Sequence, residues 1–512
     1  MENNKIEDQT ERTIAKSVIE ELKIATPSEL DIITIYKDGI SILDIKDTFV
    51  KPYIKKYANE TILLDAKGKN PKKYRLSISR QNMIIDFIKS LTYCSLKDFD
   101  SNDRIINVEN GLYFLDGYKV VAKKEESDGF RETNDGERIY YKIKHFKQHK
   151  NLKKPYKSFI QIPVNYDPGA ENLEIDQILV DIVGFEDVKL IYEMMGYFLA
   201  SYVKFSKAFM LYGETGTGKT TIINIIRQFF GKQNISGVEL QKLDDPFQIE
   251  KTRNKLINIF DDLSSKPIKF VGNFKGLVTN SSMRGSIKHV QGEIEWDNRC
   301  KGLFACNTLP TIKDYLTNAF YKRWVLIPCY EDFKEKGKED TNIRDKKYSE
   351  GEKSGLLNKL LQALKRLEER KNFPEVWQDI EFVKNHWNMD INPVKLFVDD
   401  NCKIGEEIYE VDYDLLLSEV NKYRKEKQVK PITKNLLTRS LNKLDNKVGK
   451  RIKVNRKTKS IIKFPSGYKY RYIQFKEEYR MSNLKIDKKP NLDKVLNINQ
   501  EMIESEVGNK NE

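Results

Sequence analysis

One stretch constrains this chain more than any other: Gly213–Glu214–Thr215–Gly216–Thr217–Gly218–Lys219–Thr220–Thr221. It fits the pattern G-x-x-x-x-G-K-[ST]. The apolar run Ala208–Phe209–Met210–Leu211–Tyr212 precedes it and reads as a buried strand. Ile222, Ile223, Ile225 and Ile226 follow it and read as the inner face of a helix. Strand, glycine loop and helix together give the pattern a mechanism. The glycines let backbone N–H groups turn around phosphate oxygens, and the helix N-terminus adds the positive end of its dipole. In that setting Lys219 is expected to contact the β- and γ-phosphates of a nucleotide, and the Thr220 hydroxyl to ligate Mg²⁺.

A chain of 512 residues holds two to four domains. With 39% hydrophobic and 32% charged residues it reads as a soluble globular protein. A formal net charge of +14 makes an acidic polymer a plausible partner. The five cysteines, Cys94, Cys300, Cys306, Cys329 and Cys402, form no C-x-x-C pair. With only four histidines, no zinc site is expected, and a reducing compartment fits. The polar, acidic start Met1–Glu11 is not a signal peptide, and no run of about 18 apolar residues suggests a membrane helix.

Residues up to about 12 read as disordered, followed by helical spacing from Ile14 to Leu22. Ile32–Tyr36 and Ile40–Leu43 flank Asp38–Gly39, a hairpin signal. Helical patterns cover Thr48–Tyr57 and Arg80–Leu91, and a turn at Glu109–Asn110–Gly111 joins two short strands. Lys123 to Lys154 is charged and irregular and reads as a surface excursion. Val180–Ala200 contains an amphipathic helix. From 208 to 330 apolar strands alternate with helical or polar segments, which predicts an α/β core with a parallel sheet. Glu331–Lys353 reads as a linker or lid and Leu356–Arg370 as a helix. A last small domain follows Pro393, with helices over Tyr413–Lys425 and Thr433–Leu444 and strands near Ile452–Val454 and Ile461–Phe464. Thr433 is its helix N-cap, and Lys485 onward reads as disordered.

Further motifs carry chemistry. Leu256–Phe260 is an apolar strand ending in Asp261–Asp262, 42 residues after Lys219 (261 − 219). Acids at a strand end suit an NTPase, which needs one to hold Mg²⁺ and often a second to orient water. Gly302–Cys306 is another apolar strand and ends in Asn307; Arg323 comes 16 residues later (323 − 307), before Trp324–Pro328. Between these strands, Ile287–Trp296 reads as a hairpin with Lys288 and His289 near its tip.

The order of these motifs resembles the superfamily 3 helicases, which are AAA+ ring motors, and most closely the helicase part of phage, plasmid and poxvirus-type primase-helicases. Phe304–Ala305–Cys306–Asn307–Thr308–Leu309–Pro310, then Arg323 and Ile327–Pro328, is similar to that family's "CNxLP … R … IP" segment. Ile106–Gly111 and Tyr166–Asp167–Pro168 look like the helical domain that precedes the motor. Residues 396–476 look like a winged-helix module.

The resemblance implies an α/β fold: an AAA+ P-loop NTPase core with a parallel sheet, a mostly helical N-terminal domain and a C-terminal winged-helix domain. The implied division is a tail and helix over 1–30, a helical or α+β domain over 31–195, and the motor over 196–335. A linker and helical segment over 336–394, the winged helix over 395–480 and a tail over 481–512 complete it. Gly213, Glu214, Thr215, Gly216, Thr217, Gly218, Lys219, Thr220 and Thr221 would bind Mg-ATP. Asp261 would anchor Mg²⁺ with Thr220, and Asp262 would polarise water. Asn307 would be the γ-phosphate sensor, and Arg323 a finger acting on the neighbouring subunit. Lys288 and His289 would grip DNA in the ring channel. Lys434, Arg439 and Lys457 would contact DNA from the winged helix. The chain departs from the family before the hairpin, where Thr279–Gly285 stands in place of a Gly-Asp turn.

The function this implies is an ATP-dependent replicative DNA helicase of a virus or plasmid. It would form a hexameric ring, translocate on single-stranded DNA in the 3′-to-5′ sense, and work in the cytoplasm, the host's if viral. Its partners would be single-stranded and duplex DNA and a separate primase or polymerase, since residues 1–200 hold no clear Asp-x-Asp pair for primer synthesis. No membrane partner is expected. The alternative is an origin-binding initiator whose ATPase only drives assembly. A packaging or partitioning ATPase fits less well, given the basic hairpin and the winged helix.

Overall fold

The computed structural model describes residues 2–63, 72–133, 137–264, 268, 272–287, 292–310, 318–329, 333, 343, 346–374, 379–391, 394–404, 410–426, 431–444, 451–453, 468–471 and 473–475. The chain divides into two compact units, Met1–Lys384 and Asn385–Glu512. Its first unit begins with helices α1 (Glu2–Leu22), α2 (Val50–Glu60) and α3 (Ile78–Thr92). Ile14, Val18 and Leu22, then Val50, Ile54 and Ala58, then Ile84, Ile85 and Ile88 recur at helical spacing. They close a small core with the hairpin Thr34–Lys37/Ile40–Leu43. The buried Asp44 carboxylate starts α2 by accepting from Phe49 N at 3.0 Å and Val50 N at 2.9 Å. Residues 2–12, expected to be disordered, form the first half of α1. Glu11 explains the difference. It is buried, accepts from the Tyr74 hydroxyl at 2.6 Å and faces Arg80 at 3.7 Å, so a charge that reads as solvated is paired within the fold.

A four-stranded antiparallel sheet follows: β1 (Ile105–Val108), β2 (Gly111–Val121), β3 (Gly129–Glu132) and β4 (Arg138–Gln148), in the order β1-β2-β4-β3. This corrects two expectations. The segment 123–154 holds the strands β3 and β4 rather than being irregular throughout, and the region before the central sheet combines helices with this sheet rather than being mostly helical. On β4 the cations Arg138, Lys142 and Lys144 share one face with Tyr140, and Ile139, Tyr141 and Ile143 share the other, a period of two that the bulge between Lys144 and Phe146 interrupts. The two flanking motifs of the sequence meet: Asn110 Nδ2 donates to Tyr166 O at 3.1 Å, and Tyr166 N donates to Asn110 Oδ1 at 2.9 Å.

Helices α4 (Leu173–Val183) and α5 (Val188–Leu199) lead to the central sheet. The helix expected within Val180–Ala200 is α5, but every residue of α5 except Lys189 is buried, so it is covered on nearly all sides. The sheet contains β5 (Ala208–Tyr212), β6 (Ile235–Ser236), β7 (Ile257–Phe260), β10 (Lys301–Cys306) and β11 (Trp324–Pro328). The hairpin β8 (Ser282–Gly285) and β9 (Ile294–Asp297) lies between β7 and β10 in sequence. Strand order in the sheet is β6-β7-β10-β5-β11, and every pair is parallel. The near-continuous burial of β5, β10 and β11 is that of strands covered on both faces. Helix α6 (Lys219–Phe230) follows β5, and α7 (Glu350–Arg370) packs on α5. One apolar core joins these helices to the sheet, from Ile106 to Phe373.

Lys301, at the start of β10, is fully buried, donates to Ala200 O and lies 5.3 Å from the Tyr197 ring centroid. Burial pushes its ammonium down to about 7. Because the folded value is depressed, the unfolded chain binds more protons between about pH 7 and its ordinary value, so this group's contribution makes stability rise with pH across that window. Lys301→Met is expected to remove a slope of up to about 1.4 kcal/mol per pH unit. Denaturant unfolding of parent and variant at pH 7 and 9 measures it; parallel slopes would rule the assignment out.

The second unit contains α8 (Lys395–Asn401), α9 (Tyr413–Glu426) and α10 (Lys434–Leu444). Their core includes Phe397, Val398, Leu416, Val420, Leu437 and Leu441. Strands Glu410–Asp412, Tyr468–Arg471 and Arg451–Lys453 form an antiparallel sheet, and Cys402–Ile404 pairs with Ile473–Phe475. Thr433 Oγ1 accepts from Leu436 N at 3.4 Å. The strand expected at 461–464 lies outside the described residues. Among the described residues, no helix is long and apolar enough to cross a membrane.

Candidate nucleotide-binding site

The glycine loop leaves the C-terminal end of β5 and enters α6 at Lys219. Gly213 and Gly218 have positive φ, 149° and 85°, which a side chain rarely adopts. Space is also closed to them. A Cβ on Gly213 would lie 2.1 Å from Cys329 O on the segment after β11, and one on Gly218 would lie 2.7 Å from the Ile182 side chain of α4. The loop is therefore packed from two sides, while Glu214, Thr215 and Gly216 face solvent. The first N–H groups of α6 have no partner within the helix, so this end attracts anions.

Lys219 turns back over the loop. Its Nζ donates to the carbonyls of Gly213 and Glu214, each at 2.7 Å, and lies 3.5 Å from Thr217 Oγ1. The side chain is 8% exposed, and burial holds its ammonium below the ordinary lysine value. Thr217 Oγ1 donates to Glu214 O at 2.8 Å, which tightens the turn. Thr220 is exposed at the first turn of α6, and Thr221 is buried.

Because the sheet is parallel, the C-terminal ends of β5, β7 and β10 open on one edge, and β10 lies between the other two. Asn307 follows β10, and its Nδ2 reaches Thr215 Oγ1 at 3.3 Å. Asp261 and Asp262 follow β7 and are exposed. Asp261 Oδ2 pairs with Arg227 Nη1 at 3.0 Å, which ties the acid to α6. Arg227 is the residue that reading the sequence missed. It lies 34 residues from its partner, and no periodicity links the two.

Arg323 is not brought to this edge. It precedes β11, and its carbonyl accepts from Ala208 N at 2.8 Å at the start of β5. The five residues of β11 separate it from the loop edge by about 16 Å. Its guanidinium donates to Ala319 O, Nε has no partner among the described residues, and burial lowers its affinity for a proton. Lys288, His289 and Lys457 lie outside the described residues; β8 and β9 do pair as a hairpin, but its first strand, Ser282–Gly285, precedes the expected span 287–296. Lys434 and Arg439 are exposed on α10, and Lys434 pairs with Asp414 at 2.5 Å.

The donors at the loop edge suit a hard cation held with a nucleotide: the Thr220 hydroxyl and the exposed carboxylates of Asp261 and Asp262. Among the described residues, no group of three or more His, Cys, Asp or Glu could cage a metal. A cation at this edge would share one or two carboxylates with phosphate oxygens, as Mg²⁺ commonly does.

A family of unknown function (DUF5906) matches residues 211–319, which include the loop, both aspartates and Asn307. No curated protein matches. Among solved structures, the chain is similar to an A form apo structure of the NrS-1 C-terminal region, with 15% identity and a TM-score of 0.40 over 89% of this chain and 97% of that one. An apo structure of the same region matches with 15% identity and a TM-score of 0.39, over 90% of this chain and 98% of that one.

Proposed function

We propose that this chain is an ATP-driven DNA motor of the superfamily 3 helicase kind, acting in DNA replication. The observation that carries the reading is the meeting of three strand ends at one sheet edge: the glycine loop, the Asp261–Asp262 end of β7 and Asn307, whose amide touches Thr215. Mg²⁺-bound ATP would supply the transferable phosphoryl group and the metal that neutralises its charge. The loop backbone and the α6 N-terminus hold phosphate oxygens. Lys219 provides the cation and Thr220 a hydroxyl ligand. Asp261 anchors the metal, Asp262 orients water, and Asn307 couples the outer end of the nucleotide to β10. Arg323, on the far edge, serves a neighbouring copy in a six-membered ring. The hairpin at Lys288–His289 and the second unit, read as a winged helix, contact DNA. A separate primase or polymerase provides primers.

The test is displacement of a labelled strand from a forked duplex by the full chain. ATP-dependent displacement that disappears in Lys219→Ala supports the reading. ATP hydrolysis without displacement would favour an initiator whose ATPase drives assembly alone.

Arg227 gives a second expectation. Its pair with Asp261 leaves the side chains 35% and 41% exposed, so it adds at most about 1 kcal/mol to stability. It also competes with a metal for the carboxylate and repels it. Arg227→Ala is therefore expected to lower the Mg²⁺ needed for half-maximal ATP turnover by about two- to fivefold. An Mg²⁺ titration of turnover checks this, and an unchanged or higher requirement would count against Asp261 as the anchor.

A further inference from the structure

The four-stranded sheet carries a second candidate surface, on β2, β3 and β4. Here β4 pairs with β3 and β2 so that Tyr140 faces Phe130, Lys142 faces Val120 and Lys144 faces Tyr118. Residues opposite one another in an antiparallel pair share a face. That face therefore presents, along β4, Arg138, Tyr140, Lys142 and Lys144 at intervals of about 7 Å. Aromatic rings stand beside them on the neighbouring strands. Phe130 is 46% exposed, Tyr118 and Tyr140 are half-buried, and Lys142 and Lys144 are exposed.

The rings are held in place. Phe130 and Tyr140 lie 6.1 Å apart between centroids and are tilted by 57°. The Arg138 guanidinium sits 4.5 Å over Phe130. The Tyr118 hydroxyl donates to Phe146 O at 2.9 Å. Strand β4 carries four cations, Arg138, Lys142, Lys144 and Lys147, and no carboxylate. Two acids stand against it and both are engaged: Glu132 pairs with Arg138 at 3.2 Å, and the Asp128 carboxylate accepts from Ile143 N at 2.6 Å.

We propose that this face of β2, β3 and β4 binds a single strand of nucleic acid, stacking bases on Tyr118, Phe130 and Tyr140 and holding phosphates with Lys142 and Lys144, without reading sequence. Rings interleaved with cations are what such strands require. Every base has a π-face to stack, and every step brings a phosphate to neutralise. A protein partner fits less well, because the centres of protein interfaces are depleted in lysine, and Lys142 and Lys144 would need carboxylates from the partner. The net charge of +14 points the same way. The proposal rests on the function proposed above only in taking nucleic acid as the chain's polyanion.

The test uses the full chain and a fluorescein-labelled oligo-dT of about 30 nucleotides, followed by anisotropy over a salt series. Lys142→Glu/Lys144→Glu is expected to weaken binding at least about tenfold and to reduce the slope of log K against log salt by about 1.4, about 0.7 per phosphate contact. Phe130→Ala/Tyr140→Ala is expected to weaken binding about tenfold or more with the slope unchanged, because stacking releases no counterions. A variant that had merely lost its fold would not separate the slope from the affinity, and a thermal melt of each variant checks the fold directly. Affinity within about twofold of the parent in either double variant would overturn the proposal, as would a changed oligomeric state with unchanged DNA affinity, which would assign the face to a protein partner. A parent that hydrolyses ATP and binds oligo-dT with an affinity that neither double variant changes overturns this proposal alone. A parent that binds oligo-dT through this face but hydrolyses no ATP leaves it standing and overturns the proposed function instead.

Discussion

Lys219→Ala is expected to reduce ATP turnover to background while the chain stays folded. Its ammonium is the side-chain cation of the loop, and it is already oriented by the carbonyls of Gly213 and Glu214 at 2.7 Å. Without it, nothing else in the motif neutralises charge on the outer phosphates. The structural cost is smaller. Two carbonyls lose a donor at a partly solvated loop, a penalty of about 1–3 kcal/mol at most. Steady-state phosphate release and a thermal melt measure the two effects separately. Turnover within about tenfold of the parent would end the nucleotide-binding reading, since a cation placed for phosphoryl transfer contributes more than that.

Arg323→Ala is expected to be comparably inactive, for a different reason. An arginine that stabilises charge on a transferring phosphoryl group contributes about 10³–10⁵ in rate. Arg323 lies at the opposite edge of the sheet from its own loop, so any such role falls to a neighbouring copy. Mixing Arg323→Ala with Lys219→Ala chains should then restore part of the turnover that neither has alone, because some interfaces combine an intact Lys219 with an intact Arg323. Rings verified to contain both chains, yet inactive at every ratio, would exclude action across subunits. Nε of Arg323 is buried with no partner among the described residues, and its guanidinium donates to Ala319 O. Acting on a neighbour would require it to exchange that carbonyl for phosphate oxygen, so the recovered rate should depend on ring assembly rather than on nucleotide concentration alone.

Much of the central sheet was legible before any coordinates. Ala208–Tyr212, Ile257–Phe260, Lys301–Cys306 and Trp324–Pro328 are short apolar runs bounded by polar residues, and each is a strand. The glycine loop was legible too, because its spacing is a local requirement of one strand–helix turn. The short β3 and the eleven-residue β4 were not. Cations crowd β4 and its tyrosines stand on both faces, so the segment reads as charged surface although Ile139, Tyr141 and Ile143 share one face. Helix α5 read as amphipathic, yet it is covered on nearly all sides, because burial depends on α7, more than 150 residues further along the chain.

The sequence alone determined which residues could do chemistry here: a lysine after glycines, two aspartates and an asparagine each ending an apolar run, and an arginine beginning another. Tertiary structure decided which of them meet. Strand order brings Asn307 between the other two strand ends and onto Thr215, and it leaves Arg323 on the far edge. It also joins Arg227 to Asp261 across 34 residues. Local spacing fixes a loop because neighbouring residues share one backbone turn. The order of strands in a parallel sheet is instead set by how crossover helices bury their apolar faces, a property of the whole chain that no single motif contains.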